Sequence, residues 1–176
     1  MTASPEPTLS YIANTDFLRD LELVAQAIES GNWRPDFLVG IGRGGLVPAA
    51  YLSHRTDIAM LSVDHSSKVF GFADELLLKL ARLTAEGTQI LFVDDINDSG
   101  STIAYLRDTI LANGGIADRL RFAVLIDNSR SVARVDYRAR TIDRAIDKDW
   151  FVFPWEAVAP RSRLVGEAQE VPERLG

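Results

Sequence analysis

Asp94 and Asp95 stand side by side directly behind the apolar run Ile90-Leu-Phe-Val93. Adjacent carboxylates at the end of a strand can chelate Mg2+ or accept the hydroxyls of a ribose, work that suits hard oxygen ligands. A few residues on, Asp98-Ser99-Gly100-Ser101-Thr102 forms a hydroxyl-rich turn around a glycine, placed where a helix begins. Backbone N–H groups, hydroxyls and the positive end of a helix dipole make such a turn a nest for a terminal phosphate. Each piece alone has an ordinary reading, a solvated Asp-Asp loop and a plain helix cap. Their joint occurrence at one strand end is much less easily dismissed.

A second candidate is Gly40-Ile-Gly42-Arg43-Gly44-Gly45-Leu-Val-Pro48. It has the G-x-G-x-x-G spacing of a dinucleotide-binding turn, and Asp64 follows about 20 residues on, at the end of the next strand. Glycines there let backbone N–H groups approach a diphosphate at a helix N-terminus, with Arg43 as a fixed cation beside them. A tight strand-to-helix turn with a surface arginine explains the same residues. This segment alone does not choose between the two.

The elements that must position these residues follow from the pattern of the whole chain. Its 176 residues suit one domain, and 47% hydrophobic with 25% charged residues is the composition of an ordinary globular protein. The absence of cysteine excludes disulfides, Cys-ligated zinc, iron–sulfur sites and a cysteine nucleophile. The net charge of −6 is the wrong sign for a broad nucleic-acid surface, although a small anion in one local pocket remains open. No apolar run reaches the roughly 18 residues of a membrane helix, and Met1–Ser10 lacks the basic and apolar parts of a leader, so a cytoplasmic protein is expected.

Short apolar runs alternate with helical patterns. Asn14 or Thr15 can cap a helix whose Phe17, Leu18, Leu21, Val24, Ala25 and Ile28 recur at steps of three and four. Strands are expected at 37–41, 58–63, 89–93 and 121–126, with weaker ones at 140–142 and 151–153. Helices are expected at 46–53, 74–83 and 102–112. The run 89–93 is apolar on both faces, as a central parallel strand is. Strand–helix alternation gives a parallel sheet covered by helices, with ligands at the carboxyl ends of its strands. Function should therefore sit just after Ile41, Val63, Val93 and Ile126.

The run from Ile90 through Asp94-Asp95 to Asp98-Ser-Gly100-Ser-Thr102 resembles the phosphoribosyl pyrophosphate (PRPP) signature of type I phosphoribosyltransferases. Arg43-Gly-Gly-Leu-Val-Pro48 is similar to the pyrophosphate loop of their purine branch. Asp149-Trp150-Phe-Val-Phe-Pro154-Trp155-Glu156 resembles the base-covering hood of xanthine/guanine and related 6-oxopurine enzymes. The three segments stand in family order over roughly residues 30–157. Two phosphate nests fit one two-ended ligand better than they fit a nicotinamide dinucleotide.

The resemblance implies an α/β fold with a mostly parallel central sheet flanked by helices and a small hood. It implies one domain over residues 1–176, with an N-terminal arm at 1–8, a hood and base-binding region at 127–157 and a polar C-terminal arm at 158–176. It also implies displacement of pyrophosphate from C1 of PRPP by a ring nitrogen of a purine base. Mg2+ would lie near Asp94 and Asp95, with Arg43 and Gly44 on the pyrophosphate. Ser99, Gly100, Ser101 and Thr102 would hold the 5′-phosphate. Asp98 would handle the purine N7 proton as base or acid, and Trp150 with Phe151 would cover the base. In that family the peptide entering the Arg43 loop can be cis. A mobile loop over PRPP would fall on Ser66–Phe72, with His65, Ser66, Ser67 and Lys68 as its polar candidates. Trp155 and Pro154 would shape the hood, while Trp33 is expected in the core or an interface. Members usually form dimers or tetramers, so a homo-oligomer is expected.

One position departs from the pattern. Where 6-oxopurine enzymes usually carry a lysine that donates to the purine O6, a gapless reading puts Asn128. Its amide can donate and accept. Either Asn128 still donates to a 6-oxo group, or Arg130 or Lys148 substitutes, or the base is adenine or another purine. A regulator that keeps the PRPP nest as a sensor is the competing class, and the acidic net charge together with Asp98 and Trp150 favours an enzyme.

Overall fold

The computed structural model describes residues 6–64 and 72–171. In chain order its elements are β1 (Leu9–Tyr11), α1 (Asn14–Ser30), β2 (Phe37–Ile41), α2 (Gly42–Thr56), β3 (Met60–Val63), α3 (Phe72–Ala85) and β4 (Ile90–Asn97), followed by α4 (Ser101–Ala112), β5 (Leu120–Asn128), β6 (Tyr137–Ile142), β7 (Trp150–Val152) and α5 (Arg161–Gln169). Five strands form one sheet in the order β3-β2-β4-β5-β6, parallel throughout. The α/β class with a parallel, helix-flanked sheet is the expected one.

The apolar run of β4 has a direct physical reason. Leu91 and Val93 point into a core shared with α1 and α2, while Ile90 and Phe92 point into a second core shared with α3 and α4. With helices on both faces, neither set of alternate side chains meets water. Phe92 stacks on Phe122 of β5, ring centroids 5.2 Å apart. Each such fully buried side chain contributes about 1.5–3 kcal/mol. The α1 stripe of Phe17, Leu21, Val24, Ala25 and Ile28 is buried as its spacing requires, but Leu18 is exposed.

Several boundaries differ from the sequence reading. The residue capping α1 is Ala13, whose carbonyl accepts the N–H groups of Asp16 and Phe17. Asn14 is already helical. β4 runs on to Asn97 rather than stopping at Val93, because Asp94, Ile96 and Asn97 still pair with Val124, Ile126 and Asp127 of β5. β6 belongs to the central sheet rather than to the hood, whose own strand β7 pairs with β1.

The ends are built in more firmly than their composition suggests. Thr8 accepts a hydrogen bond from the Trp150 N–H at 2.8 Å, and Arg161 pairs with Glu6 at 2.9 Å. The supposed polar arm contains α5, which buries Leu164 and Ala168 and exposes its arginines. Two apolar residues four apart dock one helical face.

Candidate active site

Gly45 and Gly44 let the start of α2 lie against the end of β4. A Cβ on Gly45 would run into the Val93 carbonyl, and one on Gly44 would stand 2.5–2.9 Å from the atoms of the Asp95 carboxyl group. Only glycine admits that approach. Gly42 carries the turn with φ +54°, and no cis peptide occurs among the described residues, so the expected cis option is not used here. Arg43 is exposed beside a cavity of about 550 Å3 that also meets Asp94, Asp95, Thr102 and Glu156.

The two aspartates are adjacent at the end of β4 and both border this cavity. Burial and the neighbouring Asp95 charge push the Asp94 carboxyl well up, and burial followed by the Glu156 charge pushes Asp95 up. Glu156 is itself raised, first by burial, while Arg43 pulls it down. It accepts the Phe153 N–H at 2.9 Å and so closes the Phe153-Pro-Trp-Glu156 turn. Trp155 stacks on Phe153 and meets Phe17 edge-on, shaping the wall of this cavity from inside the core.

The Ser99–Thr102 turn opens α4. Gly100 has φ +87°, and a side chain there would collide with Ser131 and Ala133. The Ser99 carbonyl accepts the Val132 N–H at 3.0 Å, and the Ser99 and Ser101 hydroxyls lie 2.9 Å apart. Buried Asn97 ties the supporting loop down: its Nδ2 donates to the Ala133 carbonyl and to Asp127, both at 2.8 Å, and its Oδ1 accepts from the Ser131 hydroxyl. Sequence reading assigned Asn97 no role.

On the other side of this turn lies a second cavity, about 500 Å3, bordered by Asp98, Ser99, Asn128, Arg144, Lys148 and Trp150. The Asp98 carboxylate is held by Arg144, Nε to Oδ1 at 3.0 Å and Nη2 to Oδ2 at 3.4 Å. Arg144 passed unnoticed in the sequence. Burial pulls its guanidinium below the ordinary arginine value, with Asp147 and Asp149 pulling the other way.

Two residues expected at the base have protein partners in the structure. Asn128 reaches the second cavity, but its amide is engaged in holding loops. Nδ2 donates to the Asp98 carbonyl, and Oδ1 accepts the N–H groups of Arg130 and Arg144. Phe151 has the Arg144 guanidinium over its ring at 5.0 Å and packs against the core, not along the cavity. Of the proposed substitutes, Arg130 and Lys148 both border the cavity, and Arg130 also forks onto Asp143. Trp33 is partly buried under Arg121, and His54 is exposed on α2. His65, Ser66, Ser67 and Lys68 lie outside the described residues.

The order of parts along the strand ends is that of a phosphoribosyltransferase. The profile of the phosphoribosyl transferase domain matches residues 16–159, and the chain belongs to that family. It is similar to xanthine-guanine phosphoribosyltransferase of Cereibacter sphaeroides, 31% identical over 140 residues, covering 76% of this chain and 75% of that protein. The enzyme of the same name from Idiomarina loihiensis is 30% identical over 126 residues, 68% of this chain and 70% of that one. A purine phosphoribosyltransferase of Pyrococcus horikoshii shares the fold, with a TM-score of 0.64 over 86% of this chain and 96% of that one at 22% identity. Among the described residues no helix is long and apolar enough to cross a membrane.

Proposed function

We propose that this phosphoribosyltransferase joins a 6-oxopurine, namely xanthine, guanine or hypoxanthine, to C1 of PRPP, releasing pyrophosphate and a nucleoside 5′-monophosphate. The observation that carries the reading is that two unlike cavities flank one phosphate turn. One has Arg43 and the acid pair, the other Asp98 and Trp150. A ligand with its 5′-phosphate on Ser99–Thr102 would extend its pyrophosphate to Arg43 and the α2 amides, and would present C1 to a base lying on Trp150.

The reaction passes through an oxocarbenium-like state, so positioning and charge stabilisation matter more than covalent chemistry. Arg43 and the first amides of α2 favour the leaving pyrophosphate over the intact sugar diphosphate. Asp98 accepts the purine N–H proton as the ring nitrogen bonds to C1. The flat indole of Trp150 orients the base at little entropic cost.

Magnesium fits the acid side of this site. Burial raises both carboxyls, with the Asp95 charge adding to Asp94 and the Glu156 charge to Asp95; a cation relieves that, and a hard ion commonly takes one or two protein carboxylates and completes its shell from substrate oxygens. Among the described residues no cluster of three or more acids, histidines or cysteines would hold a metal alone. Asp94 and Asp95 would hold it together with PRPP, and when bound it neutralises the charge of the leaving pyrophosphate.

Pyrophosphate release from PRPP and Mg2+, with guanine, xanthine, hypoxanthine and adenine offered separately, tests the proposal. Release with 6-oxopurines is expected. Release with adenine alone would move the base assignment, and silence with all four would overturn it.

A further inference from the structure

Arg144 is a cation whose side chain is only 10% exposed although it lies on the turn joining β6 to β7. Buried arginines persist where their donors are satisfied. Here the donors divide between two segments of the chain. Nε and Nη2 hold the two oxygens of Asp98, on the loop between β4 and α4. Nη1 donates to the carbonyl of Asp149 at 2.7 Å and to that of Asp147 at 3.3 Å. The Asp149 carbonyl belongs to the peptide group on which Trp150 hangs. The N–H of that same peptide donates to Thr8 at 2.8 Å, so the unit is fixed at both ends. Phe151 supplies a flat seat under the guanidinium.

We infer that Arg144 is a positioning residue for base binding: it sets the Asp98 carboxylate and the Trp150 ring at a fixed separation, so that one purine can meet both. Asp98 comes from the nucleotide-binding sheet and Trp150 from the hood, and nothing in chain connectivity couples the two. The guanidinium plane does so, because its donors point in two directions from one rigid group. Asn128 completes the brace by holding the Asp98 carbonyl and the Arg144 N–H, which explains why an amide serves at this position. The inference rests on the proposed base reading.

Isothermal titration with two ligands separates the base side from the phosphate nest. Ribose 5-phosphate has no base, and guanosine 5′-monophosphate has one. Arg144→Met should weaken guanosine 5′-monophosphate about tenfold to a hundredfold, as displaced supporting groups do, and leave ribose 5-phosphate within about twofold. In turnover it should raise the KM for base and not that for PRPP. Arg144→Lys keeps the charge without the fork and should stay close to the Met variant. Unchanged nucleotide binding, equal weakening of both ligands, or full recovery by lysine would each overturn the inference. Should Arg144→Met fail to fold, Phe151→Leu removes the seat and should move the same ratio in the same direction; an unmoved ratio overturns the inference. A wild-type protein that binds ribose 5-phosphate but no purine nucleotide removes the base reading, and this inference with it. That outcome is read on the wild type, before any variant.

Discussion

The cavities on either side of the Ser99–Thr102 turn are assembled by opposite means. The Arg43 side joins three pieces, each contiguous in sequence: two consecutive aspartates, consecutive glycines, and a four-residue turn closed by Glu156. The Asp98 side is made by reach. Asn128 spans 30 residues to the Asp98 carbonyl and Arg144 spans 46 to its carboxylate. Short-range construction leaves the first side dependent on backbone conformation, whereas the second depends on a few buried side-chain hydrogen bonds. Losing a partner there strands a polar group away from water. Variants should therefore fail differently on the two sides.

Asp98→Asn should give the largest effect. Replacing the proposed proton acceptor by an amide should lower kcat by about 10²–10⁴-fold. Ribose 5-phosphate affinity should be retained, because the Ser99–Thr102 turn, the proposed phosphate site, keeps its backbone. Single-turnover kinetics beside a titration measures both, and equal losses in the two would erase the distinction drawn between the cavities.

Gly100→Ala comes next, and it strikes the turn both cavities share. The residue must hold φ +87° against Ser131 and Ala133, so a methyl group meets both a strained backbone and a packed loop. Unfolding should become easier by about 3 kcal/mol, read from urea midpoints, with PRPP and nucleotide binding lost together. Selective loss of one ligand would mean that the turn is not common ground. Asn128→Ala should be milder, about 1–3 kcal/mol for the groups it orphans, and should move nucleotide binding more than ribose 5-phosphate binding.

The contrast also explains what could be read from the sequence. The acid pair, the phosphate turn and the Arg43 loop are contiguous, so residue type and spacing carry them. The sheet is legible for the same reason, since both-face burial forces continuous apolar runs such as 90–93. Arg144 is not legible, because nothing local separates it from the exposed arginines at 130, 134 and 138, and its burial arises only when β6 delivers it beside Asp98. Asn128 invited a base-reading role because it ends a strand. Whether its amide is free depends on two loops that meet there. The C-terminal segment looked like an arm since α5 buries only Leu164 and Ala168, too few to register against its charges.

Glu156 tests the short-range side and should give the smallest effect. Its carboxylate accepts the Phe153 N–H, a bond across three residues. Glu156→Gln keeps an acceptor and removes a negative charge that faces Asp95, so stability should hold or rise slightly. Glu156→Ala loses the acceptor at a cost of about 1 kcal/mol, but it removes the same repulsion, and the two contributions oppose each other. Thermal unfolding of both variants, beside KM for PRPP and for base, checks this. Any shift in KM should fall on PRPP, because the turn walls the Arg43 cavity alone. A matching shift in the base KM would show that the wall and the Trp150 strand move together through β7, and that the two sides are mechanically one.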